Sequence, residues 1–188
     1  MRILEKRVRL LSLATVALVS AYFLVGCRAG GGSPDSHGPL GGGAFGSISG
    51  GDDCAPGRIG QPQTFGDESF TNSGQATVIL DRVVLLHPHH QRLVGSYAVP
   101  GTSLIGVPGD WPPKYAGIPA SWKYHKPVHG YHLGPGKSFN LVVGVVATAA
   151  TDVRSAGVLI YYHDSSNNYV LTNHLAMTLA IDKPKGCK

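Results

Sequence analysis

The sequence of 188 residues predicts an all-β fold, an antiparallel β-sandwich of about seven strands. Apolar and polar residues alternate with a period of two in several stretches after residue 60. Turns that contain Gly, Pro or Asn separate these stretches. Outside the first 26 residues, no segment holds ten or more residues with convincing 3.6-residue periodicity, so we expect no long helix in the folded part.

The clearest strands lie near the C-terminus. Apolar Leu175, Met177, Leu179 and Ile181 alternate with smaller or polar residues, which predicts a strand with one apolar face. The stretches GVLIYYH and NYVLTNH flank residues 164–167, which are four turn-forming residues. They predict a β-hairpin.

The remaining strands occupy the middle of the chain. KSFNLVVGVVATA places alternate apolar residues from 139 to 145 on one face, and its other face is apolar too. QATVILDRVVLLH is longer than most strands, and its alternation slips at Asp81-Arg82, which predicts a β-bulge or a change of sheet. RLVGSYAV and the short stretches near Phe65 and Phe70 complete the set.

The N-terminus has the composition of a targeting signal. Residues 1–9 are basic, and an uncharged run of 17 residues follows at 10–26. A spanning helix needs about 17 to 25 apolar residues, so length alone leaves an uncleaved membrane anchor open. The run ends in Leu24-Val25-Gly26-Cys27, and a Gly-rich stretch begins at once.

This junction resembles the lipobox of bacterial lipoproteins, in which a small residue precedes an obligatory cysteine. The resemblance implies cleavage after Gly26 and a diacylglyceryl group on the Cys27 thiol. Two acyl chains, at roughly 0.8 kcal/mol per buried methylene, would hold the protein stably on a membrane. We therefore expect a cell-membrane protein that is lipid-anchored on the extracytoplasmic face.

Lipidation of Cys27 leaves Cys54 and Cys187 as an even pair in an oxidising compartment. They flank the folded region. In the chain-entropy model, a disulfide that closes a loop of this size stabilises the folded state by about 4 to 5 kcal/mol. Two free thiols or a metal-binding pair are the alternatives. We predict the disulfide.

Four regions follow from these patterns: a signal peptide (1–26), a lipidated N-terminus with a tether (27–60), the sandwich (61–183) and a C-terminal tail (184–188). Twelve of the 33 residues at 28–60 are Gly, and few apolar residues recur at a regular spacing. Such a stretch buries too little surface to offset its ordering entropy, so we expect a disordered, flexible tether. Packing of GGGAF on the domain is the alternative.

A motif at the start of the sandwich carries a second resemblance. Phe70, Asn72, Gly74 and Val78 fit an "F-x-N-x-G-x-x-x-V" opening that is similar to bacterial immunoglobulin-like modules, where an Asn-Ser-Gly turn joins two strands. With HLGPGKSFNLVVGV and GVLIYYHDSSNNYVL, the chain resembles single-domain immunoglobulin-like lipoproteins of Gram-positive, actinobacterial-type organisms. The resemblance implies an immunoglobulin-like sandwich.

The charge pattern argues against nucleic-acid binding. The chain has a net charge of +5, but removing residues 1–26 leaves 12 basic and 10 acidic residues, and no Lys/Arg cluster. A surface that tracks phosphates needs clustered Lys and Arg. We expect a membrane contact and an envelope protein or glycan partner, and no nucleic acid.

The stretch from 109 to 127 is the predicted ligand loop. It carries Trp111, Tyr115, Trp122 and Tyr124 among four prolines. Aromatic residues on a rigid loop can stack on sugars or bind peptides, and they can equally plug the open end of a sandwich. We place the binding surface here, which makes the chain a binding or interaction module.

Eight of the nine histidines fall in the sandwich, which raises zinc or copper binding as the alternative function. His87, His89 and His90 follow one predicted strand, and His125, His129 and His132 lie in a later loop. Convergence of the two loops would create a site. Without it, the histidines are solvated loop residues.

Catalysis has little support in the sequence. Residues 101–105 fail the G-x-S-x-G pattern at the last Gly, and neither HExxH nor a phosphate-cradling Gly loop occurs. The sandwich has only seven carboxylates. We expect no enzyme and no cofactor.

Overall fold

The computed structural model describes residues 38–42, 51–114 and 119–182. All of them belong to one unit, 32–188, and a separate unit at 1–31 lies outside the described residues. The predictions for the signal peptide, Cys27, Tyr115, Cys187 and the tail at 184–188 therefore also lie outside them.

The described residues form strands almost throughout. The strands are β1 (Leu40–Gly42), β2 (Asp52–Gly57), β3 (Pro62–Asn72), β4 (Val78–Leu86), β5 (Gln91–Pro100), β6 (Gly106–Asp110), β7 (Lys126–Pro127), β8 (Tyr131–Leu133), β9 (Ser138–Ala147), β10 (Arg154–Ser155), β11 (Gly157–His163), β12 (Asn168–Asn173) and β13 (Ala176–Ile181). One 3-10 helix, η1, spans Ala120–Tyr124. No helix in the described ranges has the length and apolar character needed to cross a membrane.

The strands make three sheets. The large sheet has the order β1-β3-β9-β5-β7, with β6 also paired to β3. A four-stranded sheet has the order β12-β11-β4-β8, and a three-stranded sheet has the order β10-β13-β2. All pairs between named strands are antiparallel except β2 with β13. The predicted all-β, antiparallel sandwich is confirmed, with this one parallel pair as a difference.

The main core lies between the large sheet and the two smaller sheets. Phe65, Phe139 and Val145 enter it from the large sheet, and Ile160 and Leu179 enter it from the smaller sheets. Residues 139–147 of β9 are all buried, because both faces of this central strand are covered. The sequence predicted the two apolar faces, and the structure confirms them.

The slip predicted in the long strand is a β-bulge. The register of β4 with β11 shifts between Tyr161 and Tyr162, which leaves Asp81 as the extra residue. The Asp81 carboxylate accepts a hydrogen bond from Nδ1 of His163, 2.9 Å from Oδ1. The bulge therefore turns a charged side chain towards a histidine partner.

Asn72 explains the F-x-N-x-G pattern. Its side chain is fully buried, and Nδ2 donates to the carbonyls of Ala76 (2.8 Å) and Leu133 (2.9 Å). Its Oδ1 accepts the backbone N–H of Gly74 at 3.0 Å. A Cβ on Gly74 would lie 2.6 Å from Pro39, so this turn also requires a glycine.

The predicted hairpin joins β11 and β12 through residues 164–167. The Asp164 carboxylate accepts the backbone N–H groups of Ser166 (2.7 Å) and Asn167 (2.8 Å). These two hydrogen bonds lower the pKa of Asp164, because they stabilise its charged form. Turn chemistry sets the register here, as the sequence indicated.

The fold begins before residue 61, which corrects the predicted extent of the tether. β1 adds to β3, pairing Leu40 with Asn72, and β2 lies along β13. Leu40 is buried, and its N–H donates to the hydroxyl of Tyr162 at 3.3 Å. Burial raises the pKa of Tyr162 to about 12. Sequence periodicity missed both strands because they are short and rich in Gly and Asp.

Candidate functional site: an aromatic surface on the large sheet

The outer face of the large sheet, which points away from the main core, carries a cluster of aromatic rings. We call Tyr97, Trp111, Trp122, Tyr124 and His125 the aromatic surface. Tyr97 comes from β5, and the other four come from the loop between β6 and β7. The structure thus brings Trp111 and Trp122 together around Tyr97 and places Tyr124 in the same 3-10 helix as Trp122, while Tyr115 lies outside the described residues.

The Trp111 indole lies on a floor of two glycines. Gly95 on β5 pairs directly with Gly144 on β9. A Cβ would approach the indole to 2.8 Å at Gly95 and to 2.2 Å at Gly144. Only hydrogen atoms at these two positions leave room for the ring. Both glycines lie inside strands, where a glycine often marks such a close approach.

Tyr97 is the hub of the cluster. Its ring stacks on Trp111, with centroids 5.3 Å apart. It meets Trp122 edge to face at 5.6 Å and His125 edge to face at 4.8 Å. These offset and T-shaped arrangements are the ones that aromatic pairs prefer. Sequence analysis did not single out Tyr97, because its strand was interpreted only as a structural element.

Trp122 and His125 form a parallel stack, with centroids 4.1 Å apart and an interplanar angle of 9°. Nδ1 of His125 lies 2.7 Å from the Trp122 carbonyl. Because a carbonyl oxygen only accepts, Nδ1 of His125 carries the proton in this contact. In the tautomer with this proton on Nδ1, Nε2 is the acceptor. The stack therefore combines apolar faces with one hydrogen-bonding atom.

Strand pairing fixes both ends of the loop. β6 pairs with β3 at Gln63 and Thr64, and the Thr64 hydroxyl donates to the Asp110 carbonyl. β7 pairs with β5, where Tyr97 faces Pro127. The described part of the loop is therefore attached to the sheet at two places, which holds the rings in a defined arrangement.

Some rings of the aromatic surface cover apolar residues of the sheet, and others are open to solvent. Val99, Ile105 and Val142 form a small buried cluster on the sheet, and Tyr97, Trp111 and Trp122 pack against it while remaining partly exposed. Tyr124, in contrast, is 58% exposed. Trp111 thus has a structural role on a sheet face, rather than at the open end of the sandwich. The exposed ring edges and Tyr124 can contact a ligand.

The two histidine groups do not converge. His129 Nδ1 bonds to the Asp81 carbonyl and His132 pairs with Ile79, near the start of β4, whereas His87 follows its end. His87 lies six positions after Asp81, which is roughly 20 Å along the strand. Within the described ranges, no three His, Cys, Asp or Glu residues are placed to hold a metal ion. The metal-binding alternative has no support there.

Cys54 lies on β2, opposite Thr178 of β13. It is disulfide-bonded, and both other cysteines of the chain lie outside the described residues. Pairing with Cys187 therefore stays a prediction.

No protein-family model matches the chain, and no curated protein matches it. Among solved structures, the ASH/PapD-like domain of human CEP192 (PapD-like domain 7) is similar to 81% of this chain and to 92% of that chain. The sequence identity is 9% and the TM-score is 0.39. The assignment as an all-β sandwich rests on the strand pairing of the chain itself.

Proposed function

We propose that the chain is a lipid-anchored, extracytoplasmic binding module without catalytic activity, and that it contacts an envelope glycan or protein through the aromatic surface. The observation that carries this proposal is the arrangement of partly exposed aromatic rings on an outer sheet face. Tyr and Trp supply large contact areas with few rotatable bonds, so rings already held in place lose little entropy on binding.

Tyr124 separates a binding role from a structural one. Its ring is exposed, with Nζ of Lys123 4.8 Å from the ring centroid, so the ring adds little to the core. We expect Tyr124→Ala to leave the free energy of unfolding within about 0.5 kcal/mol of wild type. A partner that contacts this surface should bind about tenfold more weakly, which corresponds to about 1.4 kcal/mol.

The measurement is tryptophan emission of the full-length protein during titration with neutral oligosaccharides and with a peptide library. Trp111 and Trp122 are the only tryptophans in the chain, so the signal reports on this surface alone. Ile59→Ala is the matched control, since Ile59 is 55% exposed and lies outside the aromatic surface. Equal weakening by both variants, or weakening by neither, would contradict the proposal.

The lipid anchor is supported by the lipobox-like stretch at 24–27. Expression in a bacterium that processes lipoproteins should give a mature N-terminus at Cys27 with a diacylglyceryl group on Sγ. Mass spectrometry of the N-terminal peptide measures both features. Cys27→Ser should abolish the modification and release the protein from the membrane fraction, whereas Cys54→Ser should leave the anchor intact. An unmodified N-terminus at Cys27 would refute lipidation.

A further inference from the structure

A cleft of about 560 Å³ opens at one end of the sandwich, where β2 and β6 end and β3 begins. Its volume falls in the range of small-molecule sites, about 300 to 1,000 Å³. The predicted ligand loop contributes only its first residues, Gly109 and Asp110, to the walls. The rest of the cleft comes from residues that sequence analysis did not assign to any site.

The cleft walls are polar. Five side chains supply hydrogen-bonding groups, and none of the other lining residues is aromatic or a large aliphatic. The five are Arg58, Gln61, Gln63, Asp110 and Asp182. Among the described lining residues, one guanidinium and two carboxylates give a net charge of −1, which disfavours phosphate and other anions. A neutral ligand with many donors and acceptors fits these walls.

The charged groups of the cleft are available to a ligand. In the part of the chain that the structure describes, no ion pair joins Arg58 to Asp110 or Asp182. The guanidinium and the two carboxylates therefore lie on the same walls without neutralising one another. A guanidinium donates hydrogen bonds and a carboxylate accepts them. Hydroxyl groups, which do both, can bond to either.

The backbone at the cleft is held in place. Asp182 has a φ of 53°, in the left-handed region, and its N–H donates to the Gly57 carbonyl at 3.3 Å. Gln63 is 4% exposed and pairs with Asp110 across β3 and β6. A non-glycine residue in the left-handed region persists only where its surroundings fix it. The polar groups are therefore preorganised on two strand pairs.

The cleft adjoins the aromatic surface. Trp111 follows Asp110 directly, and its ring lies over Gly144, whose partner on β3 is Thr64, the neighbour of Gln63. Gln63 and Thr64 face opposite sides of β3, so a ligand longer than the cleft reaches the aromatic faces by passing around the end of the strand near Asp110. An oligosaccharide fits a polar cleft followed by aromatic rings, because sugar hydroxyls bond to polar walls and the C–H faces of sugars pack on aromatic rings.

We propose that the cleft binds one end of a neutral oligosaccharide whose following units stack on the aromatic surface. This inference rests on the proposed function and names its ligand class.

The test titrates full-length protein with maltotetraose, cellotetraose and N-acetylglucosamine tetramer, and with tetragalacturonate as the anionic probe. Tryptophan emission and calorimetry are the readouts. We expect saturable binding of at least one neutral tetramer and at least tenfold weaker binding of the anionic one. Asp182→Asn and Arg58→Gln should each weaken the neutral tetramer about tenfold. Asp152→Asn is the matched control, because Asp152 is exposed and also has a left-handed φ, of 54°.

The outcomes separate this inference from the proposed function. Neutral tetramers that change tryptophan emission but bind the cleft variants as tightly as wild type would overturn the cleft site and leave the aromatic surface standing. A response to library peptides but to no oligosaccharide would also overturn the inference alone. If neither class changes the emission, both proposals fail. Circular dichroism of each variant confirms that the sandwich remains folded.

Discussion

Replacing Gly144 by Ala is expected to displace the Trp111 indole and to lower the free energy of unfolding by about 1 to 3 kcal/mol. The new Cβ would lie 2.2 Å from the indole, and Gly144 sits on the central strand of the large sheet, which cannot move aside easily. The ring must therefore leave its place. Urea unfolding measures the loss, and a shift of tryptophan emission to longer wavelength reports exposure of the indole.

Gly41→Ala is the matched control for this substitution. Gly41 also lies in a strand of the large sheet, but the nearest atom to an added Cβ is the Thr71 carbonyl oxygen at 4.0 Å. We expect its stability to change by less than about 0.5 kcal/mol and its tryptophan emission to match wild type. If Gly144→Ala has the free energy of unfolding and the tryptophan emission of the wild type, the indole does not pack against Gly95 and Gly144.

Asn140→Ala is expected to lower the free energy of unfolding by about 1 to 3 kcal/mol. Asn140 is fully buried, and its Nδ2 donates to the carbonyls of Gly66 (3.0 Å) and Glu68 (2.6 Å). Its Oδ1 accepts the N–H of Ile105 at 3.2 Å. One side chain thus bridges the irregular stretch of β3 and the loop before β6. The Ile105 N–H and the Gly66 carbonyl also bond to each other at 2.9 Å, so the main loss falls on the Glu68 carbonyl. A buried group left without a partner costs about 1 to 3 kcal/mol.

The exposed Asn168 provides the comparison for Asn140. Asn168→Ala removes the same amide from the first residue of β12, where it faces solvent, so unfolding in urea should differ little from wild type. A loss below about 1 kcal/mol in Asn140→Ala would mean that the irregular stretch of β3 does not depend on this amide.

Local patterns in the sequence predicted much of the sandwich. The alternation around Phe139 and the turn at 164–167 both give the elements that the structure contains, because period-two burial and turn chemistry act over a few residues. The slip at Asp81-Arg82 located the bulge for the same reason.

Pairing between strands that are distant in the chain could not be predicted from the sequence. β1 and β2 are strands because β3 and β13 offer them edges, and nothing in the Gly-rich stretch itself encodes those partners. Asn140 bonds to groups 35 to 74 residues away, so its role has no local signal. In the same way, the cleft around Arg58 and Asp182 forms only when distant strand ends meet.

For the aromatic surface, the sequence predicted the loop between β6 and β7 but not the role of Tyr97 on β5. Trp111 and Trp122 lie in a stretch that is rich in aromatic residues and prolines, which drew attention to it. Tyr97 lies in a strand, 14 residues before Trp111. Gly95 and Gly144 carried a usable signal, since glycine inside a strand often marks a close approach of other atoms. Their pairing across β5 and β9 is what converts that signal into a place for the indole.

Binding through the aromatic surface is tested most directly by following the indole N–H resonances of Trp111 and Trp122 in ¹⁵N-labelled, full-length protein during titration with the neutral tetramers and the peptide library. We predict a saturable shift of the Trp122 resonance. In Tyr124→Ala, the dissociation constant obtained from this titration should be about tenfold higher. Indole resonances that stay fixed at millimolar concentrations of every probe would contradict a binding role and leave the rings as a cover for the sheet.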